Sequence, residues 1–422
     1  MAPTGLDVQI DDFIRNCGLE PQGAVVLPWD WHEPLAVVEP TSADDVAKLA
    51  LGCDTYGFAL VPTGGGTDLS MGAPPAKPYL LVKTTGMNRV LEYEPDEMVV
   101  VCQSGVTLKQ LQTVLAPHRQ RIPLRLPFDG MSTLGGIVST NRAGVLRAAY
   151  GAPRDLLIGL SAVMSGGTTI KGGGKVVKNV AGYDLCKLFT GSYGTLGIVT
   201  AVNLKTTVKT DEDVTLLWDA PNFQIALDAG FRLHQGRLFT AGMCAANDLK
   251  SGGPVLAVYL QGVGQRIEWQ RNTIDDILLP LGFQAARRAS DDEASLLLEW
   301  MSPFKKDDLL WFAHCSILPS DVPAAASRIA SVCSSSRITA IPGTGELFIA
   351  VPEGAEYWPW HLQDAVPDEG NVRFAYVGPE VLSEGTVSRW GRRLPAARLH
   401  HALKQRLDPG NCFNPGRFVD GI

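Results

Sequence analysis

The run Pro62-Thr63-Gly64-Gly65-Gly66-Thr67 follows at once on the short apolar segment Phe58 to Val61. A proline ends such a strand, and the glycines behind it let the backbone aim its N–H groups at one point with no Cβ atoms in the way. A diphosphate needs that geometry, and the hydroxyls of Thr63 and Thr67 can add to it. The loop is thereby placed at the C-terminal end of a strand, where ligands meet sheets. Read by itself it is equally compatible with an ordinary glycine turn. The familiar nucleotide fingerprints do not fit: Gly64-x-Gly66 is followed by Leu69 rather than glycine, and Thr169 stands where a phosphate loop ahead of Gly174-Lys175 needs one.

Two further segments share this chemistry. In Met131-Ser132-Thr133-Leu134-Gly135-Gly136-Ile137-Val138-Ser139-Thr140-Asn141, small and hydroxylated residues interrupt an apolar stretch. They allow close backbone approach and supply several donors, which suits a phosphate or an isoalloxazine edge. They also suit a helix start packed tightly on a neighbour. Gly182-Tyr183-Asp184-Leu185 leads to Gly191-Ser192-Tyr193-Gly194-Thr195-Leu196-Gly197-Ile198-Val199-Thr200, which alternatively reads as a helix C-cap and a turn into a strand.

Periodicity places these segments in a patterned first half. Ser42 and Asp45 stand at capping-box spacing ahead of a helix that carries Val46, Leu49 and Ala50 to about Tyr56. Leu80 to Val82, Arg89 to Tyr93 and Met98 to Gln103 read as strands, and Thr107 caps a helix with Leu108, Leu111 and Leu115 on its apolar side. Ile158 to Met164 and Thr168 to Lys171 flank a hairpin turn at Ser165-Gly166-Gly167, and a strand runs over Ile198 to Thr206. After Val208 the glycine clusters stop, and helical spacing appears at Trp269 to Leu279 and Asp291 to Trp300. Loop chemistry returns at Asp408 to Arg417.

At 422 residues and 45 % hydrophobic composition the chain can build two cores. A net charge of -7 argues against a nucleic-acid partner, which draws on a surplus of Lys and Arg. Met1 to Phe13 lacks a secretory signal's basic start and apolar run, and no stretch has the length of a membrane span, so a cytoplasmic protein is expected. The eight cysteines are scattered without C-x-x-C pairs, and free, mostly buried thiols are expected of them.

In this order and spacing the three segments resemble the FAD-binding domain of the vanillyl-alcohol-oxidase or PCMH superfamily, and most closely the branch of D-lactate dehydrogenases and glycolate oxidase subunits. The run Gly173-Gly174-Lys175-Val176-Val177-Lys178-Asn179-Val180-Ala181-Gly182-Tyr183-Asp184-Leu185, followed by Lys187-Leu188-Phe189, is similar to the GlcE type of glycolate oxidase subunit. Phe413-Asn414-Pro415-Gly416-Arg417 is similar to the closing motif of that branch. The resemblance is strong over residues 35–206 and at the C-terminal end, and faint between.

It implies an α+β protein: an N-terminal extension over 1–34, a PCMH-type two-part FAD-binding domain over 35–208, an α+β antiparallel-sheet cap domain over 209–395, and a tail over 396–422 that returns to the FAD domain. It further implies that Pro62, Thr63, Gly64, Gly65, Gly66, Thr67 and Asp68 surround the pyrophosphate. Ser132, Thr133, Leu134, Gly135, Gly136, Thr140 and Asn141 then line pyrophosphate and flavin, Gly197, Ile198 and Val199 lie by the adenine end, and Asn414 stands near the isoalloxazine. Some members of the superfamily tether FAD through a histidine in the first loop. Pro62 to Gly72 has no histidine, and Met131 to Asn141 has neither histidine nor cysteine, so non-covalent FAD is expected.

Catalytic members of the branch carry His-x-Gly-Asp-Gly-Asn-x-His, whose histidines help hold a metal and a hydroxy acid. The matching segment here is Ile341-Pro342-Gly343-Thr344-Gly345-Glu346-Leu347-Phe348. Isoleucine and phenylalanine neither ligate a metal nor accept a proton. The resemblance therefore implies an accessory or electron-relaying subunit without a metal of its own, beside a related catalytic flavoprotein and an iron-sulfur subunit, in a complex that oxidises glycolate or D-lactate. Any contact with the inner membrane would run through those partners. An autonomous FAD oxidoreductase with a different pocket, or a non-catalytic scaffold, remains the alternative. Candidates for other chemistry are His314, His400, His401, Arg125 and Arg142, with Tyr183 and Asp184 as ordering residues and Trp358 and Trp360 as a docking patch. Each also has an ordinary structural explanation.

Overall fold

The computed structural model describes residues 5–23, 25–28, 30–174, 182–236, 238–249, 252–304, 308–355, 359–368, 370–379, 381, 387–391 and 396–422. Lys175 to Ala181 of the GlcE-like run, and Trp358, lie outside the described residues.

The first half builds two small sheets. Strands β1 (Ala36–Val38), β2 (Ala59–Thr63) and β3 (Tyr79–Lys83) form a parallel sheet in the order β1-β3-β2. Ser42 and Asp45 cap the helix Ala43–Tyr56 reciprocally, and Gly57 ends it in the left-handed conformation. Its Val46, Leu49 and Ala50 pack under the sheet together with Ile10 and Ile14 of the helix Gly5–Asn16. The N-terminal helix thus belongs to the core of this sheet.

The second sheet consists of β4 (Val90–Glu94), β5 (Val99–Gln103), β7 (Leu157–Val163), β8 (Thr169–Gly173) and β9 (Ile198–Lys205), antiparallel in the order β4-β5-β9-β7-β8. The short β6 (Gln120–Arg121) pairs with β10 (Thr207–Val208) beside it. Thr107 caps the helix Leu108–Leu115, and its three leucines join the sheet's core.

The second half is one antiparallel sheet of eight strands: β11 (Glu212–Asp219), β12 (Gly242–Ala246), β13 (Val255–Gly262), β14 (Arg287–Arg288), β15 (Leu309–Ser316), β16 (Arg337–Ile341), β17 (Glu346–Pro352) and β18 (Asn371–Val377), in the order β14-β11-β13-β12-β16-β17-β15-β18. Side chains alternate between its faces with period two. Leu216, Trp218, Leu256, Val258, Leu347, Ile349 and Phe374 face the helices Phe223–Gln235, Gly264–Leu278 and Val322–Val332. Leu217, Ala257, Tyr259, Phe348 and Ala350 face the other way, onto Met71, Val145 and Leu146 of the first half and Trp390. Both faces are buried, so the strands read as near-continuous apolar runs.

The C-terminal end then rejoins the first sheet. After the helix Ala397–Leu407, the N–H of Leu60 donates to Cys412 O at 2.7 Å, and the N–H of Asn414 donates to Leu60 O at 3.0 Å, which lays Phe413 parallel to β2. One expectation is corrected by this pairing. It brings Cys412 against the helix Ala43–Tyr56, where it forms a disulfide with Cys53 across 359 residues of sequence, so those two thiols are not free. Cys17, Cys102, Cys186, Cys244, Cys315 and Cys333 are free and buried. Among the described residues no helix is long and apolar enough to cross a membrane.

Candidate cofactor site

The three glycine-bearing segments meet around one cleft between the two small sheets and the tail. It encloses about 820 Å³ of space, counting the part open to solvent. The geometry explains the glycines. A Cβ on Gly65 would run into the backbone carbonyl of Met131, and one on Gly64 would run into the side-chain Oγ1 of Thr133, so the first two loops abut directly. A Cβ on Gly194 would lie 2.7 Å from Pro62 Cγ and 3.1 Å from Asn414 Nδ2, which is how the third segment and the tail close the far wall. Gly66 is left-handed, with φ of 78°, and its missing Cβ faces open space.

Among the described residues nothing accepts the N–H groups of Gly65, Gly66 and Thr67. Gly65 and Gly66 are half-buried and Thr67 is buried, so three successive unbonded donors on a glycine loop face the cleft together, the arrangement of an anion cradle. Around them the cleft presents the hydroxyls of Thr63, Thr67, Ser132, Thr133, Ser139 and Thr140. Its cations are Arg142 and Arg417. Asp68, the one carboxylate on the wall, is paired with Arg142 at 2.6 Å. The donor set suits a dinucleotide: diphosphate acceptors meet N–H and O–H groups, and no unpaired negative charge opposes them.

Every expected cofactor residue but two lines this cleft. Pro62 to Asp68, Ser132, Thr133, Gly135, Gly136, Thr140, Gly197, Ile198, Val199 and Asn414 are all on its wall. Leu134 is not: its side chain is buried in the core of the five-stranded sheet, because Thr133 caps the helix Leu134–Thr140 and turns position 134 inward. Asn141 is not either. It ends that helix in the left-handed conformation, and its Oδ1 accepts from the N–H of Arg154.

The cleft also recruits residues the sequence reading did not assign to it: Leu69, Thr84, Ile137, Ser139, Tyr193, Gly194 and Arg417. Tyr193 and Gly194 belong to the third glycine-bearing segment, but nothing in sequence spacing shows that Tyr193 is left-handed, with φ of 52°, and donates its N–H to Ser139 O. Arg417 is buried. It donates to the carbonyls of Leu69 and Met71 at 2.7 Å each and lies 4.3 Å from the centre of the Trp31 ring. Burial pulls its guanidinium down to about 9, and Arg389 adds to that against the opposing pull of Tyr79, Asp30 and Tyr193.

The other candidates separate clearly. Arg125 pairs with Asp213 at 3.2 Å and lies over Tyr259, off the cleft. Arg142 is on the cleft and also donates to Met301 O, tying it to the second half. Tyr183 is 93 % exposed, and Asp184 caps the helix Leu185–Phe189. His400 and His401 are half-buried rather than fully solvated, with His400 6.2 Å from Phe418. Trp360 is partly exposed.

His314 lies on the face of the eight-stranded sheet that looks toward the cleft. Its ring stacks on Phe348 at 4.5 Å, and its Nε2 is 3.4 Å from Glu346 Oε1. Glu346 is also 3.3 Å from Arg147 and accepts from the Thr344 hydroxyl. Ile341 and Phe348, at the two positions where the hydroxy-acid motif has histidines, are buried in the apolar layer between the halves. Among the described residues no three His, Cys, Asp or Glu side chains are grouped as a metal requires.

These charges make a pH prediction. Burial lowers His314, and Arg373 and Arg142 add to that, against the opposing pull of Glu346. Burial raises Glu346, but His314, Arg147 and Thr344 together outweigh it and leave the carboxyl below its ordinary value. The unfolded chain therefore binds these protons more tightly than the folded one. The stability contribution of His314 is complete above its ordinary value of 6.5 and is lost as pH falls toward its lower folded value; that of Glu346 follows below 4.5. Urea midpoints are expected to decline from pH 7 to pH 5, and His314→Gln is expected to flatten that slope. An identical slope in the variant would contradict the assignment.

The fold is α+β, with a PCMH-type FAD-binding domain followed by an antiparallel-sheet cap. Residues 34–173 match the family profile described as FAD binding domain, and FAD is the cofactor of that domain. The whole fold is similar to that of p-cresol methylhydroxylase, with a TM-score of 0.70 at 16 % identity over 98 % of this chain and 97 % of that one. A 4-ethylphenol oxidase from Gulosibacter chungangensis gives 0.66 at 16 % identity, over 97 % and 92 %.

In sequence, the chain is 37 % identical over 184 residues to the glycolate oxidase subunit GlcD of Bacillus subtilis, covering 44 % of this chain and 39 % of that one. It is 35 % identical over 173 residues to a D-lactate dehydrogenase of Archaeoglobus fulgidus, covering 41 % and 39 %. With a D-2-hydroxyglutarate dehydrogenase of Stutzerimonas stutzeri it shares 32 % over 199 residues, covering 46 % and 43 %. The matched region thus spans about two fifths of each of these relatives.

Proposed function

We propose that this chain is the FAD-binding subunit of a glycolate oxidase-type complex that oxidises glycolate or D-lactate, and that it relays electrons or supports assembly. The observation that carries this is the contrast between the two halves. The cleft keeps a full set of dinucleotide donors, while Ile341 and Phe348 fill the histidine positions with buried apolar side chains. The likeness to 2-hydroxy-acid enzymes over the FAD-binding region supports the substrate class.

In this reading Pro62 to Thr67 hold the diphosphate, and Thr133 and Gly136 close the loop beneath it. Tyr193 and Asn414 wall the ring end, with Asn414 Nδ2 fixed on Tyr193 O at 2.6 Å. Bound FAD supplies reversible two-electron transfer. Among the described residues the cleft wall offers neither histidine nor cysteine, which supports non-covalent binding. The partners are a related catalytic flavoprotein and an iron-sulfur subunit, and the complex sits in the cytoplasm or against the inner membrane through those partners.

The test is anaerobic glycolate. The flavin band of the purified chain is expected to persist, and to bleach once the catalytic flavoprotein and iron-sulfur subunits are added. Rapid bleaching of the chain alone would overturn the accessory role.

A further inference from the structure

The sheet face above the cleft carries a charge without a partner. Arg373 on β18, His314 on β15 and Phe348 on β17 stand in one cross-strand row, since His314 is in register with both others. Alternation turns Arg373 to the same side as His314, away from its neighbours Val372 and Phe374, which point into the helix-covered core. Its Nη1 is 3.4 Å from the hydroxyl of Tyr193, whose body lines the cleft. Among the described residues no carboxylate pairs with Arg373.

The charges around it can be counted. Arg142 is neutralised by Asp68, and Arg147 by Glu346. With His314 held neutral by burial, three guanidiniums on this side face two carboxylates; Arg417, the other cation of the cleft, has its N–H groups taken up by the carbonyls of Leu69, Met71 and Ala73, so the guanidinium left for a ligand is Arg373. The polar atoms agree. Arg373 Nε is buried without a hydrogen-bond partner, as is Asn371 Oδ1 two residues along the same strand, and His314 Nε2 has only the Glu346 carboxylate at 3.4 Å, outside hydrogen-bond geometry. Buried unpartnered groups are rare in native proteins, and a cluster of them calls for a molecule that completes it. A guanidinium fork matches a carboxylate in shape and charge.

We propose that Arg373, with Tyr193 and His314 beside it, is the seat of one small monocarboxylate at the cap-side end of the cofactor cleft. The inference deepens the functional reading above and rests on it for the orientation of the site toward FAD, but binding requires no oxidation on this chain. Arg373 is the one guanidinium there whose donors are not taken up by a carboxylate or by backbone carbonyls, and this makes the seat selective. A second carboxylate on the ligand would be desolvated near Asp68 and Glu346 with no cation left to receive it.

Oxamate and oxalate test this, because they share a shape and differ by one charge, and neither carries a C–H bond from which hydride could leave. The FAD-loaded full chain is titrated with each by calorimetry and by perturbation of the flavin spectrum. Oxamate is expected to bind, and oxalate to bind about tenfold more weakly or not at all. Arg373→Met is expected to weaken oxamate about tenfold or more while retaining FAD. Should that variant lose its flavin, Arg373→Lys decides, with an expected loss of about threefold from the missing fork geometry. Absence of oxamate binding, tighter binding of oxalate, or affinity unchanged in the deciding variant would overturn the seat. Bleaching by glycolate alone would overturn the accessory role and leave an Arg373-dependent seat standing, so the two failures are distinguishable.

Discussion

Gly65→Val is expected to give a folded chain that does not retain flavin. The Cβ of any side chain at 65 collides with the Met131 carbonyl, with its carbon 2.8 Å and its Cα 3.1 Å away, and these are backbone atoms that cannot swing aside. Relief requires the first loop to lift off the second, at a strain cost on the order of 1–3 kcal/mol. That movement re-aims the free N–H groups of Gly65, Gly66 and Thr67, so FAD affinity is expected to fall about 100-fold, equivalent to about 2.8 kcal/mol. The ratio of flavin absorbance to protein after gel filtration measures it. Gly57→Val makes the control, because its positive φ ends the helix Ala43–Tyr56 away from the cleft with no atom within 4 Å of the missing Cβ. It should lose stability and keep flavin. Equal flavin content in Gly65→Val and the unaltered chain would contradict the cradle.

Asp408→Ala is expected to be the most destabilising change outside the core. Asp408 is fully buried and pairs with Lys404, 8 % exposed, at 2.6 Å. The same carboxylate accepts from the N–H groups of Cys412 and Phe413 at 2.9 Å each, while Lys404 donates to Thr195 O and Phe413 O. Removing the carboxylate leaves a buried ammonium and two unpartnered backbone donors, a loss of about 3–5 kcal/mol. The pair clamps the turn that lays Phe413 along β2 and brings Asn414 and Arg417 to the cleft. Its loss is therefore expected to lower both the urea midpoint and the retention of FAD. A loss below about 1 kcal/mol would show that the Cys53–Cys412 disulfide and the Leu60 pairing hold the tail without it.

The cleft was legible in the sequence where its chemistry is local. Glycines at 64, 65 and 66, and hydroxyls at 132, 133 and 140, declare close approach and donors from adjacent positions, and the capping boxes at Ser42 and Thr107 declare helix starts in the same way. What spacing could not show are the meetings between distant residues. Cys53 and Cys412 join only because β2 accepts the tail as a neighbour, and Arg417 reaches the cleft by the same route. Leu134 and Asn141 sit inside a segment that lines the cleft, yet the helix that Thr133 starts rotates one inward and turns the other onto Arg154. In β18 the apolar pattern is broken by Asn371 and Arg373, and in sequence an isolated arginine in a strand reads as a solvated edge. The eight-stranded sheet is buried on both faces, so the same residue becomes an unpaired charge over the cleft.

We propose that the chain holds FAD, non-covalently, in the cleft built by Pro62 to Thr67, Ser132 to Thr140 and the tail. It is tested most directly by the absorbance spectrum of the purified full chain, before and after denaturation and removal of protein. The expected result is a flavin spectrum that passes wholly into the supernatant as FAD, and that returns when FAD is added to the refolded chain. A colourless chain that takes up no FAD would contradict the claim, and flavin that stays with the precipitated protein would contradict its non-covalent form.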